Sequence, residues 1–90
     1  MIIKDIVYTH KFLKSFKELD GDIKKIAAEK EKMFEKNPFH SSLRLHCLKG
    51  RLSNYWSISV NTNYRIIFEY KEGGDVLFLS IGKHDIYRNL

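Results

Sequence analysis

Two histidines and an arginine, His46, His84 and Arg65, are the residues of this chain best suited to proton and phosphate chemistry. Imidazole titrates near neutrality, so either histidine can take or give a proton during phosphodiester cleavage, help typically worth about 10²–10⁴ in rate. A guanidinium is planar and permanently charged, and its fork of donors matches two oxygens of one phosphate. Around these three stand Arg44, Lys49, Arg51, Lys83 and Arg88, interleaved with Tyr55, Tyr64 and Tyr87. Cations for phosphates and flat rings for unstacked bases are what single-stranded RNA asks of a protein.

Each of these residues also has an ordinary reading. A lone histidine is more often structural than catalytic, and Arg65 suits an ion pair with Glu69 as well as it suits a phosphate. Tyr55 and Tyr64 fit sheet packing better than base stacking, whereas Tyr87 stands in a polar tail beside His84 and Arg88. His10 and His40 receive no role. The only cysteine, Cys47, has no paired ligand spacing around it, so no metal or other cofactor is expected and a buried, inert thiol is.

The chain has 90 residues, 43% of them hydrophobic, enough for one domain over residues 1–90 and too few for a second core. Sixteen Lys and Arg against 11 Asp and Glu leave a net charge of +5, a weak bias toward polyanionic partners. A single cysteine excludes an internal disulfide and gives no sign of an oxidising compartment. The segment Met1–Tyr8 carries Lys4 and Asp5 and lacks a signal-peptide pattern, and no apolar run reaches membrane-spanning length, so a cytoplasmic location is expected.

Residues Ile2–Tyr8 are β-branched and aromatic and predict a strand. Thr9 then reads as a helix cap, followed by Phe12, Leu13, Phe16 and Leu19 on one helical face, with Tyr8 able to staple onto Leu13. Asp22 is expected to cap a second helix, whose apolar face is Ile23, Ile26, Ala27, Met33 and Phe34 and which Asn37-Pro38 ends. The lysines of this half alternate with acids and read as a solvated face.

From Leu43 the period changes to that of extended chain. Strands are predicted at Leu45–Lys49, Tyr55–Val60, Tyr64–Tyr70 and Val76–Ile81, with Asn61-Thr62-Asn63 and Gly73-Gly74 as turns. The short connections demand an antiparallel meander, so the fold class is α+β, with the helices on one sheet face. Trp56, Ile58 and Val60 then share that buried face, as do Tyr64, Ile66 and Phe68, while Ser57, Ser59 and Arg65 point to the wetter one.

The order of elements and six local words together resemble the RelE/ParE superfamily of toxins over nearly the whole chain. The words include Leu45-His46-Cys47-Leu48-Lys49-Gly50, Trp56-Ser57-Ile58-Ser59-Val60, Tyr64-Arg65-Ile66-Ile67-Phe68 and Gly82-Lys83-His84 through Arg88. Members resembling RelE and YafQ are ribosome-dependent messenger RNA endonucleases of type II toxin-antitoxin systems, each neutralised by an antitoxin. Members resembling ParE poison gyrase on the same fold, and a noncatalytic RNA- or ribosome-binding module is the third alternative.

Carried over by position, the resemblance makes Arg65 the phosphate-binding arginine, His84 the general acid and His46 the general base. It makes Tyr87 the terminal aromatic that stacks on or orients the substrate, and Lys49 and Arg51 the backbone-contacting region. The implied reaction is attack by a ribose 2′-hydroxyl on the adjacent phosphate, without a metal. The chain departs from the YafQ pattern at Ser59 and Asn63, where those enzymes carry histidine and aspartate. The implied partners are messenger RNA, the ribosome and a cognate antitoxin with an acidic segment.

Overall fold

Thr9 decides where the first helix begins. Its hydroxyl oxygen accepts from the Phe12 amide at 3.1 Å and the hydroxyl donates to the Phe78 carbonyl at 2.9 Å. One side chain thus satisfies an orphan helix donor and ties the helix start to the last strand. The computed structural model describes residues 1–89, with side chains through Tyr87. Its elements are β1 (Asp5–Tyr8), α1 (His10–Lys17), α2 (Gly21–Lys36), β2 (His46–Cys47), β3 (Tyr55–Ser59), β4 (Arg65–Tyr70) and β5 (Asp75–Gly82). Short 3-10 segments lie at Ser41–Leu43, Gly50–Leu52 and His84–Asn89. No helix among the described residues is long and apolar enough to cross a membrane.

The sheet runs β1-β5-β4-β3-β2. Strands β2 to β5 form the expected antiparallel meander, and β1 adds parallel to β5 at the other edge. The parallel pairing is possible because both helices and the meander intervene, a connection far longer than a hairpin. Both helices cover one sheet face. Phe34 of α2 meets Phe68 edge-on at 5.0 Å between centroids, and Phe12 of α1 lies 5.3 Å from Phe78. These rings join Ile58, Val60, Ile66, Val76 and Ile81 in one buried cluster.

Several local expectations shift. The first strand starts at Asp5 rather than Ile2, and the second shrinks from Leu45–Lys49 to two residues. Asp20, not Asp22, is the N-cap of α2 and makes no side-chain cap bond; Asp22 falls in the first turn, where its charge meets the positive end of the helix dipole. Leu13 is 52% exposed, because it stands one residue off the Phe12 direction, and Tyr8 stacks on Phe12 at 5.5 Å. At the Gly73-Gly74 turn, a Cβ on Gly74 would come 2.9 Å from the Ile2 carbonyl, and its φ of +100° suits glycine alone.

The helix-free face is less open than the alternation implies. Ser57, Ile67 and Ser80 form one row across β3, β4 and β5 and are all buried, because the chain after β5 turns back onto that strand. Strand β5 also carries an extra residue. Phe68 pairs with Phe78 but Ile67 pairs with Ser80, which leaves Leu79 as a bulge. Val76, Phe78 and Ile81 therefore all reach the core, which no strict alternation allows.

Between α1 and α2, Tyr8 donates its phenol proton to the Glu31 carboxylate. Burial raises the Glu31 pKa above its ordinary value, the Tyr8 hydrogen bond opposes this, and Glu35 adds to it. Tyr8 is raised as well, by burial first and then by Glu31. A folded value above the unfolded one means that protonation of Glu31 favours the fold. That contribution is complete below the unfolded value and is lost as pH rises through the folded one. We expect Glu31→Gln to unfold at higher urea than the parent at neutral pH, with the gap closing as pH falls toward 4.5, the ordinary glutamate value. A variant less stable at neutral pH would contradict this.

Candidate active site

The meander places Arg65 at the start of β4, opposite Gly82 of β5 and Ser59 of β3. Two residues past Gly82 the chain enters its last 3-10 segment at His84. In a 3-10 helix, residues three apart eclipse one another, so His84 and Tyr87 project on the same side. On the far edge, His46 of β2 pairs with Ser57. These side chains line one cleft of about 470 Å³ together with Cys47, Leu48, Lys49 and Leu52. Among the described residues, no carboxylate lines it.

The hydrogen bonds define each group's state. His46 Nδ1 lies 3.0 Å from the Arg44 carbonyl. A carbonyl only accepts, so Nδ1 carries the proton and Nε2 presents its lone pair. Arg44 adopts a left-handed backbone, φ +48°, strain of about 1–3 kcal/mol of the kind that gathers at functional sites. Arg65 Nη2 stands 3.4 Å from His84 Nε2; because arginine only donates, His84 accepts at Nε2 in this resting arrangement. The Arg65 Nε is buried without a partner among the described residues. Glu69, the alternative partner for Arg65, instead pairs with Lys71 at 3.2 Å.

His46, Arg65, His84, Tyr87 and Lys49 thus come together, while the remaining basic residues do not all join them. Arg44 lines a neighbouring cavity that shares Arg65 as a wall. Lys83 sits over the Tyr64 ring, 5.7 Å from its centroid, and Tyr64 packs against the core. Arg51 is exposed in Gly50–Leu52 and does not line the cleft. The side chain of Arg88 lies outside the described residues.

Cys47 corrects the expectation of a buried thiol. It is exposed, and its Sγ donates to the Ser53 carbonyl at 3.2 Å, because β2 is an edge strand too short to be covered. Among the described residues, no three His, Cys, Asp or Glu side chains gather as metal ligands do. Sequence reasoning missed Leu48 and Leu52 as apolar walls of the cleft. Their signal was present, two leucines flanking Lys49-Gly50, but short apolar runs read equally well as strand.

Two helices thus cover one face of the meander and a basic cleft opens at its other side. Solved structures of similar fold include YafQ from E. coli, at 18% identity and TM-score 0.77 over 93% of this chain and 97% of that one. A YoeB/ParE toxin from Agrobacterium tumefaciens matches at 16% and 0.74, covering 90% and 99%. The toxin-antitoxin complex RelBE2 from Mycobacterium tuberculosis contains a chain matched at 16% and 0.75, covering 92% and 100%. No curated protein sequence matches significantly. Residues 6–84 match the family model of the HigB-like toxin, the RelE-like toxin of type II toxin-antitoxin system HigB, and the chain belongs to this family.

Two measurements check this geometry. Nitrogen-15 spectra of neutral His46 should show a protonated Nδ1 and a bare Nε2; the opposite tautomer would remove the Arg44 contact. A Cβ on Gly82 would collide with Ile86 Cγ2, so Gly82→Ala should cost about 1–3 kcal/mol in denaturant unfolding. Amide shifts should then concentrate at residues 84–87, and an unchanged spectrum there would refute the packing.

Proposed function

We propose that this toxin is a ribosome-dependent messenger RNA endoribonuclease that needs no metal, working as one domain over residues 1–90. The observation that carries the reading is the convergence of two imidazoles and a guanidinium in one cleft, which no carboxylate lines among the described residues. With RNA across the cleft, the free Nε2 of His46 takes the proton of a ribose 2′-hydroxyl. The 2′ oxygen then bonds to the adjacent phosphorus, the bond from phosphorus to the 5′ oxygen breaks, and His84 protonates that leaving oxygen. The products are a 2′,3′-cyclic phosphate and a free 5′-hydroxyl, so atoms and protons balance.

Arg65 holds the nonbridging oxygens, whose charge grows in the transition state, which is where a fixed cation contributes most. The incoming phosphate draws the guanidinium from His84, and the vacated Nε2 takes up the proton it later delivers. Tyr87 orients a flanking base by stacking. Lys49 and Arg51, with Arg44, Lys83 and Arg88, supply charge for the backbone. The same uncompensated charge calls for a cognate antitoxin with an acidic segment, bound in a heteromeric complex in the cytoplasm. A solved YoeB-YefM complex from Staphylococcus aureus contains a chain of this fold.

The test is induction in cells followed by mapping of messenger RNA ends. Cuts bearing 5′-hydroxyl ends should appear, and Arg65→Ala and His84→Ala should each slow cleavage by about 10²–10⁴. Intact transcripts together with chromosome breaks would replace this reading with gyrase poisoning.

A further inference from the structure

We propose that the cavity behind Arg65 is a second phosphate subsite, which takes the internucleotide phosphate next to the scissile one. The inference rests on the nuclease reading and extends it to substrate grip. This cavity, of about 240 Å³, is lined by Lys30, Arg44 and Arg65 with Ser42, Asn61 and Thr62 among its polar walls, and among the described residues by no carboxylate. The Lys30 ammonium, half-buried on α2, donates to Ser42 Oγ at 3.1 Å. Among the described residues, no salt bridge joins Lys30, Arg44 or Arg65 to an acid.

One neutral group, Asn61, also leans toward donation. Asn61 Oδ1 accepts from the Asn63 amide at 2.9 Å and the Tyr64 amide at 2.8 Å. That leaves the carboxamide N–H groups as what Asn61 can offer a ligand. A recess with three cations and donor groups suits a tetrahedral oxyanion, because each phosphate oxygen then meets a charge-assisted bond.

Arg65 selects a polynucleotide over a free anion. It is a wall of both the cleft and this cavity, and its buried Nε is unpartnered among the described residues. One guanidinium shared by two adjoining basic spaces matches successive phosphates of one strand. The strand would pass from His46 and His84, across Arg65, to Lys30 and Arg44.

The experiment uses the full chain and uncleavable, fully 2′-O-methyl RNAs, a dinucleotide with one phosphate and a trinucleotide with two, followed by anisotropy across a salt series. Lys30→Met keeps the apolar stem and removes the charge. It should weaken the trinucleotide about tenfold and lower its salt slope by about 0.7, while the dinucleotide is unaffected. Should Lys30→Met fail to fold, Thr62→Glu, which sets a carboxylate at the exposed wall of the same cavity, should likewise weaken the trinucleotide and spare the dinucleotide. Trinucleotide binding that depends on Arg65 but on neither Lys30 nor a charge at position 62 overturns the subsite and spares the nuclease reading. Wild-type binding of both probes that ignores Arg65→Ala overturns the nuclease reading as well, and wild type that binds the trinucleotide no better than the dinucleotide overturns the subsite. Inorganic phosphate that displaces the trinucleotide from wild type but not from Lys30→Met would support the subsite; equal displacement from both would overturn it.

Discussion

The arrangement of the cleft depends on the pairing of β4 with β5, and above all on one extra residue in β5. Leu79 opposes no single partner, so the strand changes phase between Phe78 and Ser80. Before the bulge, even-numbered residues Val76 and Phe78 enter the core. After it, odd-numbered Ile81 does. The change turns Ser80 and Gly82 to the helix-free side and lines Gly82 up with Arg65. From Gly82, lacking a Cβ, the chain folds back with Ile86 against it, and His84 is delivered beside the guanidinium. A bulge that re-aims a strand end beside a site is a recurring use of this irregularity.

A second constraint is electrostatic. Half-buried Arg65 loses part of its hydration, which ordinarily calls for a carboxylate partner. The fold withholds one: Glu69, four residues along the same strand, is taken by Lys71, and among the described residues no acid lines either adjoining cavity. The charge is left for a ligand. The aromatic core on the other face supplies the rigidity this needs, since Phe34, Phe68 and Phe78 interlock directly beneath the strands that carry Arg65 and Gly82. Glu31, an acid that the structure half-buries, sits elsewhere, between the helices against Tyr8.

The strained carbonyl of Arg44 connects the two basic spaces. Its left-handed backbone ends the turn Ser41–Leu43, presents the carbonyl that sets the His46 tautomer, and leaves its own side chain in the neighbouring cavity. Backbone geometry at one residue thus bears on the proposed base and on the proposed second phosphate.

Local patterns in the sequence were enough to determine the helix pair, the Thr9 cap, the stop at Asn37-Pro38 and the four meander strands. Periodicity and capping act within a few residues, so the chain displays them directly. Arg65 on the face away from Ile66 and Phe68 was legible for the same reason. The parallel docking of β1, the bulge at Leu79 and the closure over Ser57, Ile67 and Ser80 were not, because each depends on pairing between segments distant in the chain. Lys30 shows the limit best: within α2 it is one lysine among several on a charged face. Only packing of that helix beside the β3–β4 turn brings it next to Arg44 and Arg65, since proximity across layers is set by tertiary packing and leaves no mark in spacing along the chain.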